Sequence, residues 1–262
     1  MKNTAMNLCG ALVVSSFMAL GSTVLTSAAT AQDGPPKWTV GGLTLVNESP
    51  LGAEGTSFNA FPYISYRGDR FYLQGLEAGY RLLPPPENQD DLHLSLNVIV
   101  AARTLAGSSR DKITADAGIK AGLHGSFGSV TATVLQDITD THNGQEVSLG
   151  YNYSFRSDKL VITPGISVKW QSRKLANHMW GVTARQREKM IEDGKDAILP
   201  VYQLSDDVIN YSAELMALYR IDDRWSVIGF ANSTYLDSKV RENPGITKKY
   251  DLTIGLGVGY SF

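Results

Sequence analysis

The chain has 262 residues, with 24 Lys and Arg against 26 Asp and Glu, and one cysteine. A formal net charge of −2 gives no basic footprint for nucleic acid, and a lone cysteine builds no disulfide framework. Mean hydropathy is −0.13, and nothing after Ala31 approaches the roughly eighteen unbroken apolar residues of a membrane helix.

Met1 to Ala31 carries Lys2, an apolar stretch from Leu8 to Leu25 and Ala29-Thr30-Ala31 before Gln32. That order predicts a cleaved secretory signal peptide over residues 1–31. Cys9 has no apolar run before it and does not read as a lipoprotein attachment site. The remaining chain has no thiol, which suits an oxidising periplasm. Residues 32–57 read as a leader, with Asp33-Gly34-Pro35-Pro36, and a candidate first strand from Lys37 to Asn47. Residues 58–262 read as a barrel domain with a long loop at 172–207.

The barrel reading rests on period-two alternation. In the stretch from Leu92 to Arg103, Leu92, Leu94, Leu96, Val98, Val100 and Ala102 form one face against His93, Ser95, Asn97, Ile99, Ala101 and Arg103. Ile113 to His124 and Val147 to Arg156 repeat the pattern, as do Leu160 to Gln171, Ile209 to Arg220 and Leu252 to Phe262. Phe58 to Arg67, Arg70 to Leu83, Phe127 to Gln136 and Trp225 to Tyr235 alternate less regularly. Pro164 sits on the apolar face of its segment, which predicts a bulge or a strand end. The terminal strand sets six apolar residues against Thr253, Gly255, Gly257, Gly259 and Ser261. With Tyr260 and the closing Phe262 it resembles the insertion signal of bacterial outer-membrane barrels. A soluble all-β protein would hide the apolar face. Trp38, Tyr66, Tyr80, Trp170, Tyr219, Trp225 and Tyr235 fall instead near segment ends, where interfacial girdles belong.

Short connections at Asp222-Asp223, Arg156 to Lys159 and Gly125 to Gly128 alternate with longer ones, as periplasmic turns alternate with extracellular loops. The proline-rich Leu82 to Asp91 then becomes an unusually long periplasmic turn. Eleven segments result, yet two periplasmic ends require an even number. Either the first lies outside the barrel, giving ten strands, or one near the N-terminus is missed, giving twelve. The expectation is an antiparallel transmembrane β-barrel of 10 to 12 strands in the outer membrane of a Gram-negative bacterium.

Four stretches carry a family resemblance. They are Phe61-Pro62-Tyr63-Ile64-Ser65-Tyr66-Arg67-Gly68-Asp69-Arg70-Phe71-Tyr72, Gly79-Tyr80-Arg81-Leu82, Trp180-Gly181-Val182-Thr183 and the ending Gly255-Leu256-Gly257-Val258-Gly259-Tyr260-Ser261-Phe262. Together they resemble the MipA/OmpV family, although His178-Met179-Trp180 stands where the family commonly begins its loop motif with tyrosine pairs. The resemblance implies an outer-membrane barrel. Members are described as scaffolds between a murein-cleaving lytic transglycosylase and a bifunctional penicillin-binding protein, and as osmoregulated or adhesive surface proteins.

With the apolar faces toward lipid, Glu77, Arg81, Arg103, Asp116, Lys120, Lys169, Glu214 and Arg220 project into the lumen. Opposite signs in a narrow barrel predict either a salt-bridged plug or a narrow polar pore. No catalytic residue, cofactor or metal ligand set is nominated. His93, His124, His142 and His178 show no ligand spacing, and no G-x-S-x-G elbow is present. Asp116 and Glu214 are too far apart in sequence to imply a pair. Ala184 to Asp193, stopped by Gly194, reads as a short helix in a solvated loop that exposes Met190, Ile191, Ile198 and Leu199.

The functional expectation is a non-enzymatic scaffold for murein-synthesising and murein-cleaving enzymes. The alternatives are a narrow channel for small polar solutes and a surface adhesin. Expected partners are outer-membrane lipid, the barrel-assembly machinery, a lytic transglycosylase and a penicillin-binding protein.

Overall fold

The computed structural model describes residues 36–86, 91–104, 113–194 and 198–262. The signal-peptide stretch 1–31 and residues 32–35 of the leader lie outside them, as do residues 87–90 of the proline-rich turn. Among these residues thirteen strands form one antiparallel sheet that closes on itself. In chain order they are β1 Trp38–Glu48, β2 Thr56–Arg67, β3 Phe71–Gln74, β4 Glu77–Arg81, β5 His93–Thr104, β6 Ile113–Gly125, β7 Gly128–Asp137, β8 Gln145–Asn152, β9 Phe155–Arg156, β10 Leu160–Gln171, β11 Val208–Arg220, β12 Trp225–Tyr235 and β13 Tyr250–Ser261. β8 and the two-residue β9 both pair with β10 and form one stave, so the barrel has twelve.

β1 closes the ring. It pairs with β2 on one side and with β13 on the other, from Thr39 opposite Ser261 to Glu48 opposite Leu252. Closure leaves no sheet edge at that seam, as hydrocarbon requires. The segment from Lys37 to Asn47 is therefore a stave, and the odd strand is resolved inside Arg70 to Leu83. That run is a hairpin, with Gln74 opposite Glu77 and Gly75 at φ +56°, the left-handed first residue of a type II′ turn. Inward parity changes there, from Tyr72 and Gln74 to Glu77, Gly79 and Arg81.

Pro164 produces neither a bulge nor a strand end in β10. It stays in register opposite Leu215. Its missing N–H removes one rung toward the neighbouring stave, which keeps only the bond from Tyr153 N–H to the Pro164 carbonyl (3.1 Å) at that level. The pairing lapses between Asn152 and Phe155, and β9 starts again below it.

The apolar faces look outward. Val98, Ile119, Val134, Leu149, Leu215 and Leu256 are all exposed large hydrophobics, so the wall has the outer face of a membrane barrel. Aromatic pairs collect at the end that holds both strand termini. These include Trp38 with Tyr66 (4.6 Å), Trp225 with Tyr260 (5.1 Å) and Tyr260 with Phe262 (6.2 Å). Short turns lie at this end and long loops at the other, which makes this the periplasmic rim.

The long loop is folded. α1 Arg173–Trp180, α2 Ala184–Glu192 and α3 Ser238–Arg241 cap the extracellular mouth. Thr183 and Gln186 form a reciprocal capping box at α2. Leu175, Ala176, Met179 and Trp180 of α1 pack on Leu204, Val208, Leu236 and Val240. A second cluster joins Leu51 of the β1–β2 loop to Val182, Met190 and Leu199. Met190 and Leu199 are thus buried rather than exposed as the sequence reading had them, because three loops meet over them; Ile191 alone of that set is fully exposed. Asp237 caps α3 and also accepts from Ile209 N–H (2.8 Å). Burial raises its pKa, but the backbone N–H groups of Ile209 and Lys239 outweigh burial and hold it below the ordinary carboxylate value.

Gly41 and Gly42 report how tightly the closing seam fits. A Cβ on Gly41 would lie 2.0 Å from the Val258 carbonyl oxygen, whereas one on Gly42 meets nothing within 4 Å. Gly41→Ala is expected to destabilise the folded barrel by about 1–3 kcal/mol, the usual range for overpacking. Gly42→Ala should leave it within about 0.5 kcal/mol, both read from urea unfolding followed by heat-modifiable gel mobility.

Candidate functional site

The lumen holds the chemistry. Every strand places alternate residues inside, and the interior positions of β4 to β11 carry most of its charge. Arg103 on β5 is 2 % exposed and donates Nε–H and Nη2–H to Asp116 Oδ2 (2.9 and 2.7 Å) and Nη1–H to Glu146 Oε2 (3.2 Å). Gln171 adds an amide donor to the same Glu146 oxygen (3.0 Å). Nearer the middle, Lys120 Nζ donates to both oxygens of Glu77 (2.5 and 2.6 Å), and Tyr72 Oη–H donates to Oε1 (2.8 Å). Lys169 and Glu214 are buried beside this group. Lys169 Nζ has no direct hydrogen-bond partner and lies within electrostatic reach of Glu146, Glu214 and Asp251.

Six of the eight sequence-predicted charges, Glu77, Arg103, Asp116, Lys120, Lys169 and Glu214, are therefore buried in the lumen and line one cavity. Arg81 and Arg220 sit at the periplasmic rim and brace turns. Arg81 Nη1–H donates to the Gly68 carbonyl (2.5 Å), and Arg220 Nη2–H donates to the Asp158 carbonyl (2.7 Å). Tyr260 and Phe262 lie in the aromatic girdle. Glu146 and Asp251, absent from the sequence reading, each precede the first residue assigned to their strands. Extending the alternation by one residue would have placed both inside.

The cavity within this network is about 60 Å³. A water needs at least about 10–15 Å³ of such space, so the cavity holds only a few. Toward the periplasm, Val161, Leu218, Met216 and Ile228 pack side by side on the inner face of three adjacent staves, and at mid-height Phe230 meets Leu45 over Gly255. Above, the helical cap covers the mouth. The arrangement lines the barrel with paired charge in the middle and with apolar side chains on one side toward the periplasm.

Two histidine groupings bear on catalysis and metals. His93 stands opposite His124, their rings stacked at 4.9 Å, and both His124 nitrogens are within 2.8 Å of hydroxyls, of Ser95 and Ser129. Among the described residues no carboxylate meets this ring, so it lacks the geometry of a triad. At the other end Asp116, Asp137 and His142 bring ligand-type atoms within 4.8 Å of one another. The chemistry does not fit a metal. Gly144 N–H donates to His142 Nδ1 (3.0 Å), so a neutral ring keeps its proton on Nε2, facing Asp116 Oδ1 at 3.2 Å. Asp137 already accepts from Thr139 N–H, Thr139 Oγ1–H, His142 N–H and Asn143 N–H. The cluster instead ties the β7–β8 loop to the charged lumen.

The family model for MltA-interacting protein MipA matches residues 40–262. The chain belongs to the MipA/OmpV family of outer-membrane proteins. It is 28% identical over 258 residues to the MltA-interacting protein of Escherichia coli K12, covering 94% of this chain and 98% of that one. It is 24% identical over 257 residues to the putative outer membrane protein YiaT of the same organism, covering 96% and 100%. OmpV of Vibrio cholerae is 22% identical over 162 residues, 62% of this chain and 60% of OmpV. Among solved structures, the COG4313 outer membrane channel of Pseudomonas putida F1 aligns at 12% identity and TM-score 0.39 over 91% of this chain and 100% of that one. The strand pairing itself establishes the barrel.

If the ion pairs hold the lumen together, breaking one partner should cost more than removing both. Lys120→Met alone is expected to cost about 3–5 kcal/mol by stranding Glu77, and Lys120→Met with Glu77→Gln to recover most of it. Urea unfolding of the two variants in detergent checks the difference.

Proposed function

We propose that this family member is a non-enzymatic outer-membrane scaffold that holds murein-cleaving and murein-synthesising enzymes at its periplasmic rim. The observation that carries this reading is the contrast between a filled lumen and an unfilled rim. Inside, the paired charges line a cavity of about 60 Å³. At the rim, Leu82, Leu83, Pro84 and Pro85 are exposed, with Leu92 at 71 % across the same turn. Arg70 Nη1–H donates to the carbonyls of Arg81 and Leu82 (3.2 and 2.9 Å) and fixes the base of this turn.

A proline run holds an extended polyproline geometry at low entropic cost, and aromatic-lined grooves recognise such segments. The name of the Escherichia coli relative, MltA-interacting protein, supports a lytic transglycosylase as one partner. Participation of a penicillin-binding protein and delivery by the barrel-assembly machinery belong to the same proposal. The channel and adhesin readings draw less support, since the cavity is small and the described parts of the β1–β2, β10–β11 and β12–β13 loops pack on one another.

Replacing Leu82 and Leu83 by serine should leave the barrel inserted and heat-modifiable while reducing recovery of purified lytic transglycosylase on the immobilised protein by at least about tenfold, or 1.4 kcal/mol. Equal recovery by the variant would remove the docking site from this turn.

A further inference from the structure

The wall has one interrupted stretch. β3 and β4 contain only four and five residues, against twelve in each of β2 and β5. Their hairpin rises from the periplasmic rim and turns back at Gly75 and Leu76, and Gly75 N–H donates to the Ile64 carbonyl (3.0 Å). Above that bond β2 continues for eight residues, Thr56 to Tyr63, paired only with β1 among the described residues.

Hydrogen-bonding direction alternates along a strand. Arg67 N–H donates to the Lys37 carbonyl, so odd residues of β2 point at β1; the Ile64 carbonyl accepts from Gly75, so even residues point the other way. Thr56, Phe58 and Ala60 therefore turn N–H groups toward the gap, and Pro62, which has no N–H, occupies the next position. Proline belongs where a ladder donor is not needed. The outward side chains are lipid-facing, with Phe58 69 % exposed, and inward Phe61 at the same stretch is 36 % exposed. At the hairpin tip β2 and β5 stand three strand spacings apart, about 14 Å, which is room for two strands.

We propose that this edge receives an extended segment of a second polypeptide, apolar at alternate residues, which adds to β2 as a strand within the outer half of the membrane. The added strand continues the ladder that β3 begins. Hydrocarbon offers nothing to N–H and C=O groups that recur every second residue, whereas a strand offers the complementary groups at the same spacing. Its outward residues must be apolar because those of Phe58, Ala60 and Ile64 beside it face lipid. The inference is independent of the periplasmic docking site.

The test uses the full protein in lipid nanodiscs and a capped octapeptide of alternating valine and threonine as probe, with amide exchange followed by NMR. Without peptide, the amides of Thr56, Phe58 and Ala60 should exchange at least about 100-fold faster than those of Ser57 and Asn59, which face β1. Saturating peptide should slow the first three by about tenfold or more, and the same peptide N-methylated at alternate residues should not. Ala60→Pro, which removes the central donor, should abolish the slowing; should that variant fail to fold, the N-methylated peptide makes the same comparison on the unaltered chain. Three amides already protected without peptide would mean that the chain or lipid closes the edge, and would overturn the proposal. So would no slowing, or equal slowing by both peptides, which would indicate apolar adhesion.

Discussion

The structure depends on closure of one backbone seam. β1 and β13 meet over ten residue pairs, and Trp38 and Phe262 exchange N–H to carbonyl bonds at the rim. In hydrocarbon an unclosed edge leaves a row of polar groups with no partner, each costing several kcal/mol. Once the seam closes on twelve staves, the alternation has only one solution, apolar outward and the rest inward. In this barrel the inward side chains of β4 to β11 then occupy much of the interior. The small inward residues of β13 are part of that fit. A Cβ on Gly255 would lie 2.3 Å from the Phe230 ring and 2.6 Å from Leu45, so glycine there is what lets the two large residues meet.

Filling the lumen with charge imposes a second constraint, because a buried ion must be paired. Arg103 satisfies two carboxylates at once, and Lys120 serves both oxygens of Glu77. The Asp116–His142 contact carries the network up to the β7–β8 loop, and the rings of His142 and His178 (5.0 Å) bring it against α1. The interior is thereby tied to the cap. Such a barrel offers its partners rims and edges, and its interior serves rigidity.

Much of this was legible in the sequence. Period-two alternation located most staves, the alternation of short and long connections counted back from the last strand gave orientation, and parity put six buried charges inside. The short hairpin was not legible as such, because Arg70 to Leu83 reads as one irregular strand unless the parity change at Gly75 and Leu76 is noticed. Pro164 was marked as special, but a lost rung in an intact strand depends on which neighbour its nitrogen faces, and sequence does not say. Met190 and Leu199 were read as exposed since their burial comes from Leu51, more than 130 residues earlier in the chain. Glu146 and Asp251 fell just beyond assigned strand starts. The exposed rim leucines and the ion-pair partners are properties of three-dimensional register, which pattern alone leaves open.

The central claim is that side chains seal the lumen. Planar-bilayer recording of the purified, folded protein in concentrated potassium chloride tests it most directly. A sealed barrel predicts a silent trace after verified insertion. Reproducible discrete conductance steps, altered in ion selectivity by Arg103→Gln or Lys120→Gln, would contradict it and make the charged interior a conducting path.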